Sequence, residues 1–461
     1  MQDQAVVLND PGLAGLLRFP TLVGCLAMLV AACGSGGHDT TEAALSSSAG
    51  QTALGGASGG PAGASGARTS GGDSSGGSSA AGSATAGAGA PATSGGTGGL
   101  SGAANGGTPS SGGAEPIVVG KCDKLGAVGV WENISPPEFR NPSNMETQTV
   151  VVSQQDQSVY ASAGNKTNGG DGGTGVFRST DCGATWKLWS TGTSSDKLKS
   201  GEQWAMVIDP DHPQNLYVAN GYGNDPTIYK STNGGVDFKP LIADSSAGLQ
   251  SSVQAIGMEP GNPLHLAVTF HYDCTAPNSA LCMSTTNDGG DTWHTFNGPS
   301  ELHGWQEAAT LSVLGPSTYL YAANGAWWTT DGGMSWTRLS TDTFGASYAG
   351  STLLMPDGNM YISGGAKLYR AGKDPTKSWT PIDNSPRSSV LIDDGENLFI
   401  TNTWDYGGQP FYTAKLSDPT VWTHMPSPQI GRGAYQFAYD KTHHIVYASC
   451  MGAGLWRMVS R

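Results

Sequence analysis

Three carboxyl groups and a phenol stand in loop-like segments of this 461-residue chain, where they could support hydrolysis. Cleavage of a glycosidic bond takes two carboxyl groups, one acting as acid and the other as base or nucleophile. A tyrosine replaces the carboxylate nucleophile in some of these enzymes. The catalytic candidates are Asp171, Asp225, Glu307 and Tyr406.

Six further side chains are suited to holding a sugar. Aromatic faces stack on sugar rings. A guanidinium group binds a carboxylate through two parallel hydrogen bonds. The ligand-binding candidates are Trp204, Trp305 and Trp404 for stacking, and Arg140, Arg387 and Arg432 for an anionic group. The alternative is that these arginines make only loop hydrogen bonds and surface ion pairs.

A repeated eight-residue segment shows which elements must position these side chains. Residues 179–186 recur as 231–238, 286–293 and 329–336, each with Asp or Asn third, Gly fifth and an aromatic residue last. Glycine accepts the backbone angles of a tight turn. Asp and Asn accept hydrogen bonds from the amides of that turn. The repeat therefore predicts a hairpin turn in which the acidic residues are scaffold rather than catalyst.

The spacing of the last aromatic residue sets the size of the repeating unit. Trp293, Trp336, Trp379 and Trp422 follow one another at a constant 43 residues. This period suits one four-stranded blade, and short β-branched and aromatic runs supply the other strands. The last unit, near 435–458, supplies only three strands. We expect residues 130–134 to complete it as an N-terminal strand.

The repeated segment resembles the Asp-box, or BNR repeat, of the sialidase-like β-propeller superfamily, from about residue 128 to the C-terminus. The resemblance implies an all-β fold, and we predict a single seven-bladed β-propeller over residues 116–461, with six or eight blades as alternatives. Superfamily members include sialidases, xyloglucan hydrolases, photosystem assembly factors and sorting receptors. The resemblance therefore implies architecture and does not choose an activity.

The predicted topology brings the candidate residues to one rim. If the repeated turns join the third and fourth strands of each blade, the loops entering the first strand and those joining the second to the third share the opposite rim. The candidates fall in these loops. We therefore interpret the chain as a propeller that binds a glycan or an envelope protein, with a glycoside hydrolase acting at the channel mouth as the alternative.

The resemblance supplies arguments on both sides of that alternative. Phe139-Arg140-Asn141-Pro142 is similar to the motif that carries the first arginine of the sialidase triad, with Asn141 in place of isoleucine, and implies Arg387 and Arg432 as its partners. Sialidases, however, have six blades and pair a tyrosine with a glutamate, and no glutamate is obviously paired with Tyr406. Xyloglucan-cleaving relatives resemble two fused propellers, and this chain has one.

The N-terminus predicts where the protein resides. Residues 19–32 form a short apolar stretch that ends at Ala31-Ala32-Cys33 and resembles a bacterial lipoprotein cleavage site. The resemblance implies a signal peptide over 1–33 and a lipidated Cys33, and Gly34 after it favours the outer membrane. An ordinary secretory signal is the alternative. No basic residue precedes Arg18, which favours a true start further downstream.

Residues 34–115 are almost entirely Gly, Ser, Ala and Thr, and they hold much of the chain's total of 69 glycines. This composition predicts a disordered linker, because it offers few apolar side chains to bury. A flexible coil of this length spans roughly 50 Å. We expect a monomer in the bacterial cell envelope, at the outer membrane or cell surface, touching the membrane only through its lipid anchor.

The net charge and the cysteines indicate which ligands and which disulfide bonds to expect. The net charge of −14, without a cluster of Lys and Arg, argues against nucleic-acid binding. Cys274 and Cys282 bracket a short loop and are the predicted disulfide, Cys122 and Cys182 could pair, and Cys450 should be a buried thiol. None of them has C-x-x-C spacing, so we expect no metal site and no cofactor.

Overall fold

The computed structural model describes residues 121–140, 147–164, 174–223, 227–241, 253–271, 281–301, 310–322, 325–340, 352–363, 367–403, 410–450 and 452–461. All of them belong to one unit, residues 106–461, and the other unit, residues 1–105, lies outside the described part. The predicted signal peptide, Cys33 and the linker over 34–115 therefore also lie outside it. No helix in the described ranges is long and apolar enough to cross a membrane.

The described strands form seven four-stranded antiparallel sheets, which we call blades 1 to 7. From the innermost strand outward, blade 1 contains β2 (Thr147–Val152), β3 (Val159–Gly164), β4 (Val176–Ser179) and β5 (Lys187–Leu188), and blade 2 contains β6 (Gly201–Ile208), β7 (Leu216–Gly223), β8 (Ile228–Ser231) and β9 (Lys239–Leu241). Blade 3 contains β10 (Val253–Glu259), β11 (Asn262–Phe270), β12 (Cys282–Thr286) and β13 (His294–Asn297). Blade 4 contains β14 (Thr310–Gly315), β15 (Thr318–Ala322), β16 (Ala326–Thr329) and β17 (Thr337–Ser340).

The last three blades complete the ring. Their strands are β18 (Thr352–Leu354), β19 (Met360–Ser363), β20 (Leu368–Ala371) and β21 (Trp379–Pro381); β22 (Val390–Asp393), β23 (Asn397–Thr401), β24 (Phe411–Lys415) and β25 (Asp418–His424); and β26 (Ala434–Asp440), β27 (Ile445–Cys450), β28 (Gly454–Val459) and β1 (Trp131–Asn133). Two short 3-10 helices, Pro137–Arg140 and Lys197–Ser200, precede blades 1 and 2. The predicted all-β, seven-bladed propeller closed by an N-terminal strand is confirmed.

Alternation along the inner strands explains why the blades pack side by side. Successive side chains of a strand point to opposite faces of its sheet. In β2, Val150 packs in a cluster with Tyr447 of blade 7, whereas the next residue, Val151, packs in a cluster with Met206 of blade 2. Each sheet thus buries both faces, which is why its strands are apolar on both sides.

Ring closure joins the two ends of the folded region. β1 pairs with β28 in antiparallel register, from Trp131 opposite Met458 to Asn133 opposite Trp456. Arg457, which is 5% exposed, makes an ion pair with Glu132 at 2.9 Å and donates hydrogen bonds to two backbone carbonyls, those of Cys182 at 2.7 Å and Lys124 at 2.6 Å. One buried arginine therefore connects blade 7, the closing strand and blade 1.

The cysteines follow the sequence prediction where the structure describes them. Cys122 and Cys182 form a disulfide. Cys450 is a buried free thiol, and burial raises its pKa well above the usual range. Cys282 is disulfide-bonded, but its predicted partner Cys274 lies outside the described residues.

The repeated turns join the third and fourth strands of blades 1 to 4, as predicted. In the turn before β17, the Asp331 carboxylate accepts hydrogen bonds from the hydroxyl and amide of Ser335, at 2.5 and 3.0 Å, and from the hydroxyl of Thr329 at 2.7 Å. Gly332 and Gly333 have φ values of 73° and 91°. The acidic residue is thus a scaffold within its own turn.

These hydrogen bonds predict acid sensitivity. The Ser335 hydroxyl and amide lower the pKa of Asp331 to about 2, from 3.8, and the hydroxyls of Thr286 and Thr292 also lower the pKa of Asp288. Because these pKa values are depressed in the folded state, the stabilisation is present above pH 4 and is lost as pH falls from about 4 toward 2.

Asn233 occupies the same position in blade 2, so asparagine fits this turn. We expect the double variant Asp288→Asn, Asp331→Asn to fold normally at pH 7. Between pH 4 and pH 2 its melting temperature should fall less than that of the unmutated protein. Circular dichroism melts at stepped pH measure this. An equal fall in melting temperature for the variant and the unmutated protein would contradict the assignment of this acid sensitivity to Asp288 and Asp331.

Candidate functional site

Strand order divides the ring into two rims. The turns between first and second strands and the repeated turns lie on one, which we call the turn rim. The loops that enter each first strand and those that join second to third strands lie on the other, the loop rim. Asp171, Asp225, Trp305, Glu307, Trp404 and Tyr406 belong to loop-rim connections outside the described residues. Arg140 ends a 3-10 helix, and its side chain is also outside the described part.

Five buried side chains meet inside the loop-rim half of the ring. They come from the first residues of β6, β10 and β26 and from the residue after β11. We call them the loop-rim cluster: Glu202, Trp204, Gln254, His271 and Tyr435. None is more than 3% exposed.

Polar and aromatic contacts hold the cluster together. The Trp204 indole donates a hydrogen bond to the Glu202 carboxylate at 2.8 Å, and its ring centroid lies 5.0 Å from that of His271. Gln254 Nε2 lies 3.5 Å from Nδ1 of His271. Trp204 of blade 2 also packs against Tyr435 of blade 7. Blade 1 lies between these two blades, so the aromatic side chains of Trp204 and Tyr435 meet across the channel.

The strand ends around this cluster are also polar. In blade 1, Thr149 and Ser162 share a hydrogen bond at 2.7 Å, and in blade 2 Gln203 donates to Asn220 at 2.9 Å. In blade 6, Ser389 bonds Thr403 at 2.7 Å. Buried polar groups are costly unless hydrogen-bonded, so a chain that places them here maintains a polar interior at the loop rim.

The turn-rim half of the ring is mainly apolar. A cavity of about 380 Å³ opens there, lined largely by side chains such as Val152, Ile208, Met258 and Phe437, with four polar ones among them, Gln154, Glu259, Gln436 and Tyr439. Gln436 lies between the two halves, where it accepts a hydrogen bond from the Val150 amide at 3.2 Å and donates one to the Met206 carbonyl at 3.3 Å. The channel is therefore polar toward one rim and apolar toward the other.

The remaining predicted residues are only partly brought together. Trp204 is 2% exposed, so a sugar would stack on its face only if its neighbours moved, and its role in binding stays a prediction. Arg387 is exposed before β22, and Arg432 is half-buried before β26. Sequence reasoning did not select Gln254. A glutamine at the start of an otherwise apolar strand was the available signal.

Most described carboxyl groups with shifted pKa values serve turns. Asp393 is the one described aspartate whose pKa is raised, through burial and the adjacent Asp394 carboxylate, against the opposing hydrogen bond from the Gly395 amide. Asp394 accepts hydrogen bonds from the amides of Glu396 and Asn397, at 3.0 and 2.7 Å. This hairpin turn lies on the turn rim, away from the loop-rim cluster.

Comparisons with known proteins agree with a propeller. No protein-family model matches the chain. A segment is similar to a xyloglucanase of Hypocrea jecorina (strain QM6a), with 26% identity over 192 residues, which is 37% of this chain and 22% of the xyloglucanase. The chain thus spans about a fifth of that relative's length.

Two solved structures from B. thetaiotaomicron have the same fold. The extracellular domain of a putative hybrid two-component system has a TM-score of 0.51 and 11% identity, covering 69% of this chain and 40% of that one. The extracellular domain of a putative one-component system has a TM-score of 0.50 and 12% identity, covering 71% and 39%. At these identities the likeness shows the fold alone, a β-propeller.

The packing of Trp204 can be tested by adding a methyl group at Gly221, which lies against its ring. A Cβ at Gly221 would lie 2.5 Å from Cδ2 of Trp204. We expect Gly221→Ala to destabilise the protein by about 1–3 kcal/mol, because overpacking displaces the ring. Urea denaturation followed by tryptophan fluorescence measures this.

Gly315→Ala is the matched control, because the nearest atom to its new Cβ lies 3.7 Å away. Equal stability of the two variants would show that Trp204 does not occupy this position.

Proposed function

We propose that this protein is an envelope-anchored β-propeller that binds a glycan at its loop rim. The observation that carries the proposal is the buried loop-rim cluster, in which a tryptophan, a tyrosine and a histidine are combined with Glu202 and Gln254 and form a polar and aromatic support for the loops of that rim. The predicted binding residues Trp305, Trp404, Arg387 and Arg432 belong to connections of the same rim, and of these the one with Arg432 leads directly into β26.

Sugar chemistry fits this half of the channel better than the other. A glycan offers many hydroxyl groups together with apolar ring faces, so its site needs hydrogen-bonding side chains beside aromatic surfaces. The loop-rim half contains both. The turn-rim cavity is lined mainly by valine, isoleucine, methionine and phenylalanine, with Gln154, Glu259, Gln436 and Tyr439 as its polar side chains, so it offers fewer partners for hydroxyl groups. An envelope protein docking on the same loops is the other ligand we consider.

A glycoside hydrolase is the second candidate, and the segment similar to a xyloglucanase favours it. Its carboxyl groups would come from Asp171, Asp225 and Glu307, with Tyr406 as a nucleophile of the sialidase type and an arginine group of Arg140, Arg387 and Arg432 for an acidic sugar. Such a mechanism requires two carboxyl groups about 5 to 9 Å apart beside the bound sugar.

The remaining parts of the proposal concern placement. We propose that the repeated turns belong to the Asp-box type of the sialidase-like superfamily, that Cys33 is lipidated and becomes the first residue when the segment before it is removed, and that residues 34–115 tether the propeller. We propose that this lipid anchor is the protein's only contact with the membrane, and that it places the protein at the outer membrane or cell surface. We propose a monomer that does not bind nucleic acid.

Glycan binding is tested with the isosteric variant Glu202→Gln. A glycan array followed by calorimetry on the best ligand measures affinity. We expect a loss of about tenfold, because the neutral amide accepts the hydrogen bond of the Trp204 indole more weakly than the carboxylate does, so the cluster that supports the binding loops is held less firmly. Glu259→Gln on the turn rim is the matched control and should leave affinity unchanged. Equal effects of the two variants, or no glycan bound, would overturn the proposal.

A parallel assay separates binding from hydrolysis. Purified protein is incubated with xyloglucan and with fluorogenic sialosides and glucosides, and product is followed with time. We expect none. Turnover that disappears in Asp171→Ala or Arg140→Ala would establish the second candidate instead.

A further inference from the structure

Four side chains of types that can ligate a metal meet at the junction of blades 7 and 1, on the turn rim. They are Cys122, from the segment before β1; Cys182, from the first repeated turn; and Asp440 and His443, from the end of β26 and the turn after it. One ligand atom from each lies within 4.8 Å of all the others. No spacing pattern in the sequence points to these four residues as a set, because they are spread over more than 300 positions.

The distances suit tetrahedral coordination. Cys182 Sγ lies 3.8 Å from His443 Nδ1 and 3.9 Å from Asp440 Oδ2. In a tetrahedral zinc site, with Zn–S near 2.3 Å and Zn–N near 2.0 Å, neighbouring ligand atoms are about 3.3–3.8 Å apart. The 2.7 Å between His443 Nδ1 and Asp440 Oδ2 would have to lengthen by about 0.6 Å. Two thiolates, an imidazole and a carboxylate are a donor set that Zn²⁺ accepts.

We propose that these four residues form a redox-dependent zinc site. The site cannot bind zinc while Cys122 and Cys182 are joined as a disulfide, and it can bind zinc once that bond is reduced. A dithiol reductant breaks the S–S bond, transfers two electrons and two protons, and leaves as its own cyclic disulfide. Zn²⁺ then displaces the two thiol protons and binds both thiolates, His443 Nδ1 and the Asp440 carboxylate.

The position of Cys182 sets blade 1 apart from its equivalents. The corresponding residues of the other repeated turns are Gly234, Gly289 and Gly332, all with φ near 70°. Cys182 adopts the same left-handed conformation, with φ 57°, although its side chain makes that conformation unfavourable. The chain therefore places a sulfur at this point against the local preference of the backbone.

Surrounding hydrogen bonds fix the ligands. Oδ1 of Asp440 accepts the amides of Thr442 and His443 at 2.8 and 3.1 Å, which leaves Oδ2 directed at the cluster. Arg457 holds the Cys182 carbonyl at 2.7 Å. Asp440 is fully buried and Cys182 is 1% exposed. Such outer contacts orient ligands for a metal.

Blade 2 supplies an internal control. Asp209 and His212 form the same kind of turn, with Asp209 Oδ1 accepting the amide of His212 at 2.9 Å and its Oδ2 lying 3.5 Å from His212 Nδ1. The neighbouring repeated turn has Gly289 where blade 1 has Cys182. The Asp–His pair is thus a common turn, and the two sulfurs are what distinguish the proposed site.

The test compares zinc binding by the oxidised and the reduced full-length protein. The protein is reduced with a phosphine, which is then removed, and Zn²⁺ is titrated in competition with a chromophoric chelator. We expect one tightly bound Zn²⁺ per reduced chain and binding at least about 100-fold weaker in the oxidised protein. Equal binding in the two states, or none in the reduced protein, would overturn the proposal.

Variants and cobalt(II) identify the ligands. We expect His443→Gln and Asp440→Asn to weaken zinc binding to the reduced protein about 10–100-fold, and His212→Gln and His444→Gln to leave it unchanged. Cobalt(II) should show a tetrahedral visible spectrum with a thiolate charge-transfer band, which falls to about half in Cys122→Ser. A cobalt spectrum without thiolate bands would contradict the assignment.

A measurement on the unmutated protein keeps the test decisive if a variant fails to fold. The reduced protein is alkylated with and without Zn²⁺, and the modified cysteines are identified by mass spectrometry. We expect zinc to protect Cys122 and Cys182 together, while near-ultraviolet circular dichroism reports that the fold is retained. Unprotected thiols in a folded, zinc-saturated protein would refute the site.

Discussion

Closure of the ring is the constraint on which the rest of this structure depends. Each blade buries both faces of its sheet against neighbours, so a ring left open would expose two apolar faces at once. Six of the seven junctions join blades that follow one another along the chain. At the seventh, between blades 7 and 1, closure depends on the pairing of β1 with β28, on Arg457 and on the Cys122–Cys182 disulfide. Covalent, ionic and hydrogen-bonded contacts therefore concentrate at this junction.

The closed ring also creates the chemical asymmetry of the channel. Seven inner strands run in the same direction, from the loop rim to the turn rim, so a polar residue at the start of each strand contributes to one shared polar surface. Glu202, Gln254 and Tyr435 do this, whereas Ile208 and Met258, near the ends of their strands, line the apolar cavity. Because the turns are occupied by their own hydrogen bonds, the longer loops of the other rim are where a ligand site can vary without disturbing the fold.

The closing junction and the proposed metal site share residues, which links stability to redox state. Cys182 is held by Arg457 through its carbonyl and by Cys122 through its sulfur. If zinc replaces the disulfide, the same two segments remain joined through a metal and gain a direct bond to blade 7. Closure would then be maintained in either state, by a covalent bond in one and by coordination in the other.

The sequence by itself determined the architecture: the 43-residue recurrence of an aromatic residue, the Gly and Asp positions of the repeated turns and a three-stranded last unit predicted seven blades and the closing strand at Trp131. These are local patterns, because turn chemistry and strand alternation act over a few residues. Only the tertiary structure decided that Trp204 is buried against His271 and Tyr435, and that Cys122, Cys182, Asp440 and His443 meet. Those contacts join residues from different blades, and their distances depend on how the ring closes.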